Sequence, residues 1–122
     1  GIDKVYIVAV NDGAVMNAWK KDQGLGGSDL IEFAADTSAE LTVALDLVLT
    51  THPGPAGKLG AHTMRCKRSS IFVVDGVIKI IQIAEGEDDP AGDDKPEASL
   101  IETMLPLLCS RARRCPPHAS TA

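Results

Sequence analysis

Apolar positions along the chain fall into blocks with two different periods. Lys4 to Val10 (KVYIVAV) is rich in β-branched residues and apolar almost throughout. That pattern predicts a strand buried on both faces, as in a parallel sheet. Asn11-Asp12-Gly13 follows, and the Asp12 carboxylate suits an N-cap, where it would accept from free backbone N–H groups. Ala14 to Lys21 places Val15, Met16 and Trp19 at helical spacing, and Lys20 and Lys21 near its end suit the helix dipole. Gly24, Gly26 and Gly27 predict a turn. Leu30 to Ala35 (LIEFAA) reads as a second strand. Asp36-Thr37-Ser38 forms a capping cluster ahead of a helix opening at Ser38, with Leu41, Ala44, Leu45 and Val48 on one face.

Thr51 to Gly60 holds Pro53, Gly54, Pro55, Gly57 and Gly60 and reads as loop. Ser70–Val74 and Val77–Ala84 are β-rich runs separated by Asp75-Gly76. This dipeptide predicts a tight hairpin, because a type I′ turn needs positive φ at both central residues. Val77, Ile81 and Ile83 are expected on one face, with Lys79 and Gln82 polar. Glu85 to Glu97 is expected to be a mobile loop. Pro96-Glu97-Ala98 opens a last helix with Leu100, Ile101, Met104, Leu105 and Leu108 as its apolar face, and Pro106 is expected to shorten it. Cys109 to Ala122 has no periodicity and reads as a disordered tail. The order is β-α-β-α-loop-β-β-α, an α/β arrangement that resembles a three-layer thioredoxin-like fold lacking its front end. Residues 1–108 form the partial domain, with the acidic loop at 85–97, and residues 109–122 form the tail.

With 122 residues, 44% of them apolar, one small domain is the expectation. No apolar run approaches the roughly 18 residues of a membrane span, so no membrane partner is expected. Three cysteines without a CxxC argue against a disulfide-stapled secreted scaffold. The net charge of −5 is unevenly placed. Glu85 to Glu97 carries seven acids and Lys95, which is −6, and the tail carries Arg111, Arg113 and Arg114, which is +3. Between Asp46 and Asp75 there is no acid, only Lys58, Arg65, Lys67 and Arg68. A basic edge of this kind can hold an anion or stabilise a thiolate. The chain starts at Gly1 rather than a methionine, which suggests a trimmed or partial protein.

Most chemical motifs are missing. There is no Walker A loop, HExxH or GxSxG, and Gly24-Leu25-Gly26-Gly27 follows a helix rather than a strand. His52, His62 and His118 have no ligand-like spacing, so neither metal nor cofactor is expected. The acidic loop lacks the alternating ligands of an EF-hand. The arginines of the tail have no aromatic residues among them, and nucleic-acid binding is not expected. Cys109 and Cys115 lie at or beyond the last helix, and no functional pairing is expected of them. Cys66, between Arg65 and Lys67, would be stabilised as a thiolate if its sulfur faces those cations, yet it could equally point into the core. Arg68 sits two residues before a strand. A guanidinium there could fix a thiolate and a peroxide oxygen through several N–H donors, or be an ordinary surface arginine.

Several stretches resemble the type II (atypical, glutaredoxin-dependent) peroxiredoxins of the redoxin family. Val8-Ala9-Val10-Asn11-Asp12 followed by Val15-Met16-Asn17-Ala18-Trp19 looks like that family's strand–VND–helix segment. Ala35-Asp36-Thr37 through Ala44-Leu45-Asp46-Leu47 looks like its AD-x-T/S…AL-x-L helix. Lys67-Arg68-Ser69-Ser70 through Asp75-Gly76-Val77-Ile78-Lys79 looks like its Arg-x-Ser/Ala strand and hairpin. The resemblance implies that Arg68 lines the peroxide pocket. It also implies that Asn11, Asp12 and Val15 lie near a homodimer interface. The activity implied is thiol-dependent reduction of hydrogen peroxide and alkyl hydroperoxides, with glutaredoxin, glutathione or thioredoxin as reductant, in the cytoplasm, a mitochondrion or a plastid. The family's peroxidatic cysteine lies in a PGxFTPxC segment, which this sequence does not contain, and Cys66 matches an ordinary position beside the arginine. By itself the chain is therefore expected to be inactive, with Cys66 as a lesser candidate redox thiol. The alternative is a non-catalytic thioredoxin-like interaction domain or a decayed gene.

Overall fold

A computed structural model describes residues 2–49 and 64–112, with the backbone alone described at 111 and 112. The expected Thr51–Gly60 loop and the tail beyond Ala112 lie outside the described residues. The chain divides into two units, Gly1–Cys66 and Lys67–Ala122.

In the first unit, strand β1 (Val5–Ala9) pairs in parallel with β2 (Ile31–Ala35), from Val5 opposite Ile31 to Ala9 opposite Ala35. Helix α1 (Gly13–Asp22) makes the crossover. The Asp12 carboxylate accepts the Val15 N–H at 2.9 Å, which is the expected cap. Met16 is the most buried residue of α1, at 1% exposure. Trp19 meets Phe33 edge-on, with ring centroids 5.0 Å apart, a geometry favoured by the ring quadrupoles. Phe33 pairs with Ile7, so Val5, Ile7 and Ala9 turn toward the helix side. Tyr6 and Val8 turn the other way and are exposed. The expectation of a strand covered on both faces is thus corrected within this unit: the sheet has two strands and α1 covers one side.

The second helix also departs from its expected form. Helix α2 is only Glu40–Ala44, and its cap is supplied from further back. Asp36 accepts the backbone N–H of Leu41 at 3.1 Å, and the N–H and hydroxyl of Thr42 at 2.8 and 2.7 Å. The Thr42 hydroxyl leads the effects that hold the Asp36 carboxyl below its ordinary value. Clamped in this way, Thr42 turns inward and is buried, whereas Leu41 is exposed. Ala39 and Asp46 adopt positive φ on either side, so the chain leaves the helix before Val48 can join an apolar face. Leu47 and Leu49 are buried instead.

Val48 forms an antiparallel bridge with Cys66, and the Leu49 N–H donates to the Arg65 carbonyl at 2.8 Å. From this segment the Arg65 guanidinium donates to the carbonyl of Val10 at 2.6 Å. Val10 is 4% exposed and lies just past the end of β1, where no ladder partner remains for it. A charged donor on a buried carbonyl replaces the missing strand bond.

In the second unit, β3 (Ser69–Val74) pairs antiparallel with β4 (Val77–Ile83). Asp75 and Gly76 have φ of 55° and 76°, the turn that the Asp-Gly dipeptide predicts. The ladder is not regular, because Phe72 faces Ile80 and Val73 faces Ile78, which leaves Lys79 as the extra residue of a bulge. The bulge shifts the alternation. Ile80 is buried while Val77 and Ile81 are exposed, which corrects the expected face. A 3₁₀ turn at Glu97–Ser99 packs against both strands. An extended Leu100 breaks the run before α3 (Ile101–Ala112). Met104 is buried and Leu107 and Leu108 are half-buried, while Ile101 and Leu105 face out. Pro106 does not shorten α3; it sits inside a helix that continues through Cys109 and Ser110, into the stretch expected to be tail. The proline lacks the N–H that would have bonded to the Glu102 carbonyl.

The acidic segment makes a turn held by hydrogen bonds to one of its own carboxylates. Asp89 accepts the backbone N–H groups of Asp93, Asp94 and Lys95 at 3.0, 3.1 and 2.9 Å. Partial desolvation pushes its carboxyl up, but those donors, with the Lys95 charge, hold it below the ordinary value. Gly92 is buried at φ 72°, and a Cβ there would strike the Ala84 carbonyl oxygen. Only glycine satisfies both conditions.

Three outcomes follow. Gly92→Ala is expected to lower stability by about 2 kcal/mol or more, read from urea denaturation, since it combines left-handed strain with a backbone clash. Arg65→Met, which strands the buried Val10 carbonyl, is expected to cost about 2 kcal/mol in the same measurement. Asp36 and Asp89 both titrate below their ordinary value of 3.8 in the folded chain. Their contribution is complete above that value and is lost as pH falls through the folded values. Amide exchange at Leu41, Thr42 and Asp93–Lys95 should therefore keep its protection down to pH about 4 and lose it in more acidic solution.

Candidate functional site

Arg68 stands immediately before β3. Its carbonyl accepts the Ala84 N–H at 2.9 Å, which carries the β3–β4 ladder one step further. The backbone under the guanidinium is therefore part of the sheet rather than a free loop. The guanidinium Nη2 donates to Asp93 Oδ1 at 3.1 Å, with the side chains 43% and 59% exposed. Beside it, the Lys67 ammonium pairs with Glu85 at 3.1 Å. The expected basic edge is thus neutralised at these two positions by the acidic segment. Opposite charges separated by many residues in sequence balance each other in space.

Ser70 lies two residues beyond Arg68, on the same side of β3 by strand alternation. Its Oγ is buried and has no hydrogen-bond partner among the described residues. Sequence reasoning singled out Arg68 but neither Asp93 nor Ser70. Asp93 is one of seven acids in its segment, and nothing in their spacing marks it as the arginine's partner. Ser70 was signalled only by the Arg-x-Ser/Ala resemblance.

Cys66 belongs to the first unit and is a free, half-buried thiol. Its two flanking cations are committed elsewhere, Arg65 to the Val10 carbonyl and Lys67 to Glu85. The condition under which Cys66 was expected to be a reactive thiolate, a sulfur facing free cations, has no support in these bonds. Cys109, on α3, is disulfide-bonded.

Asp12 serves as the α1 cap, Asn11 is half-buried, and Val15 is exposed at the start of the helix. A shallow cleft of about 270 Å³ lies between β4 and α3, lined by Lys79, Ile80, Ile81, Gln82, Leu107 and Ser110. It contains none of the predicted site residues. Among the described residues no group of His, Cys, Asp or Glu could hold a metal ion, and no helix is long and apolar enough to cross a membrane.

Comparison with known proteins gives one consistent picture. The Redoxin family model matches residues 1–100, which span the Arg68 hairpin. Among curated relatives, "Peroxiredoxin-2E-2, chloroplastic" of Oryza sativa is 38% identical over 86 residues, covering 70% of this chain and 36% of its own. "Peroxisomal membrane associated protein 20" of Schizosaccharomyces pombe is 37% identical over 102 residues, covering 82% and 62%. Among solved structures, reduced Prx3 from Vibrio vulnificus in complex with H2O2 superposes with a TM-score of 0.70 at 26% identity, covering 93% of this chain and 60% of that one. The chain thus spans between about a third and three fifths of the length of these proteins. The expected α/β, thioredoxin-like architecture is the one these neighbours share. A family model that runs through both units and across Arg68 makes this chain a member of the redoxin family, similar to peroxiredoxins of plants and bacteria.

Proposed function

We propose that this chain supplies the arginine-bearing part of a thiol peroxidase that reduces hydrogen peroxide and alkyl hydroperoxides. The observation that carries the reading is Arg68, an exposed guanidinium on a sheet-anchored backbone, inside the stretch matched by the family. In the whole protein a cysteine thiolate attacks the terminal peroxide oxygen. The S–O bond forms as the O–O bond breaks, and the departing alkoxide takes a proton and leaves as water or an alcohol. The sulfenic acid then accepts two electrons from two thiols, giving back the cysteine with one disulfide and one water. Arg68 donates to the negative charge that builds on the separating oxygens.

The nucleophile is not Cys66. It bridges Val48 in the first unit, and the sequence around it has no PGxFTPxC pattern. The reductant would be glutaredoxin, glutathione or thioredoxin. The α1 entry, with Asn11, Asp12 and the exposed Val15, would lie near a homodimer contact. The setting would be organellar or cytoplasmic, and the chloroplastic and mitochondrial relatives are compatible with the organellar one.

Two measurements test this. The 122-residue chain is expected to consume hydrogen peroxide no faster than an equal concentration of a simple thiol, with Cys66→Ser removing no more than that background. Rapid, saturable turnover abolished by Cys66→Ser would overturn the assignment. In the protein carrying the PGxFTPxC segment, Arg68→Met should lower kcat/KM by about a hundredfold or more, as for loss of a transition-state donor. Its stability should change by less than about 1 kcal/mol, because the ion pair it breaks is exposed. A kcat/KM within a factor of a few of the unsubstituted protein would sink the role given to Arg68.

A further inference from the structure

The Arg68–Asp93 pair closes a small ring in the second unit. Ala84 donates its N–H to the Arg68 carbonyl at 2.9 Å, and Gly92 packs so tightly on Ala84 that no side chain fits between them. Asp93 follows Gly92 directly, and its own N–H is tied to Asp89 Oδ1 at 3.0 Å. One residue of β4's extension thus holds both arms, the arginine backbone on one side and the carboxylate-bearing turn on the other. Asp93 is placed by the fold, and its reach to the guanidinium at 3.1 Å is a consequence of that placement rather than a chance meeting of two long side chains.

We infer that Asp93 is a specificity-determining residue that sets the charge of the Arg68 site, so that it admits neutral hydroperoxides and turns away anionic ligands. An unpaired guanidinium draws any small oxyanion and binds it by two parallel hydrogen bonds. With a carboxylate already on Nη2, an incoming anion meets a like charge a few ångströms away and must displace it. A neutral hydroperoxide meets no such repulsion and can use the N–H donors that Asp93 leaves open, since one carboxylate oxygen occupies one of five donors. This inference rests on the reading of Arg68 as the peroxide-facing side chain. It adds a substrate preference: hydrogen peroxide and uncharged alkyl hydroperoxides over hydroperoxides that carry a carboxylate close to the reacting oxygen.

The test is anion binding, which does not depend on turnover. Inorganic phosphate is titrated into the 122-residue chain at low ionic strength, with the Arg68 Nε–Hε resonance as reporter. Asp93→Asn keeps the backbone bond to Asp89 and is expected to tighten phosphate binding at Arg68 by about three- to tenfold over the unsubstituted chain. Asp94→Asn makes the same change in net charge one residue away and is expected to do much less. Arg68→Gln/Asp93→Asn is expected to lose the gain. Equal affinities in the unsubstituted chain and Asp93→Asn would overturn the inference. So would an equal gain in Asp94→Asn, or a gain that survives loss of the arginine. If circular dichroism shows that Asp93→Asn does not fold, Asp93→Ser is titrated in its place and judged by the same outcomes. A failed titration leaves the peroxidase reading standing, whereas an inactive whole protein with the expected titration refutes that reading alone.

Discussion

Much of the second unit depends on one carboxylate. Asp89 receives three consecutive backbone N–H groups, from Asp93, Asp94 and Lys95. Those donors would otherwise have only water, and the segment would have no reason to hold one conformation. Once they are captured, the turn folds back on itself, Gly92 can approach Ala84, and Asp93 is delivered to Arg68. The same device recurs in the first unit, where Asp36 gathers the N–H groups of Leu41 and Thr42 and rotates Thr42 into the interior. Asp12 does so at the start of α1. With two-stranded sheets among the described residues, carboxylates on backbone donors carry part of the organisation that a broader sheet would supply.

This changes how the charge distribution should be understood. As a list of residues, the acidic segment and the basic stretch are opposites that happen to lie in one chain. In the fold they neutralise each other at two points, Lys67 with Glu85 and Arg68 with Asp93. Each exposed pair contributes about 1 kcal/mol or less to stability. Their importance is to the field at the arginine, where a nearby carboxylate changes which ligands are welcome without changing the donor itself.

The two arginines near Cys66, Arg65 and Arg68, divide their work in a similar way. Arg65 is structural, closing the open carbonyl of Val10 at the end of β1. Arg68 has no such duty, since its side chain meets only an exposed carboxylate while its backbone alone serves the sheet. An arginine whose side chain can be removed at little structural cost is free to be used in chemistry. Composition could not separate these two residues, because both lie in the same acid-free run.

Elements governed by short-range bonds were legible in the chain itself. The alternating strands and helices, the Asp12 cap, the Asp-Gly hairpin and the family pattern around Arg68 all follow from residues within a few positions of one another, where local propensity decides. Much of what failed needed a distant partner. The bulge at Lys79 moved the buried face of β4 to Ile80, a shift set by pairing with β3 rather than by the strand's own pattern. Arg65 finds Val10 across 55 residues, and Arg68 finds Asp93 across 25. Sequence alone therefore determined which backbone shapes form, and that Arg68 deserved notice. Tertiary structure decided which of several identical charges meets it, because a carboxylate's reach is set by where the backbone is held, and that is settled only when Ala84, Gly92 and Asp89 come together.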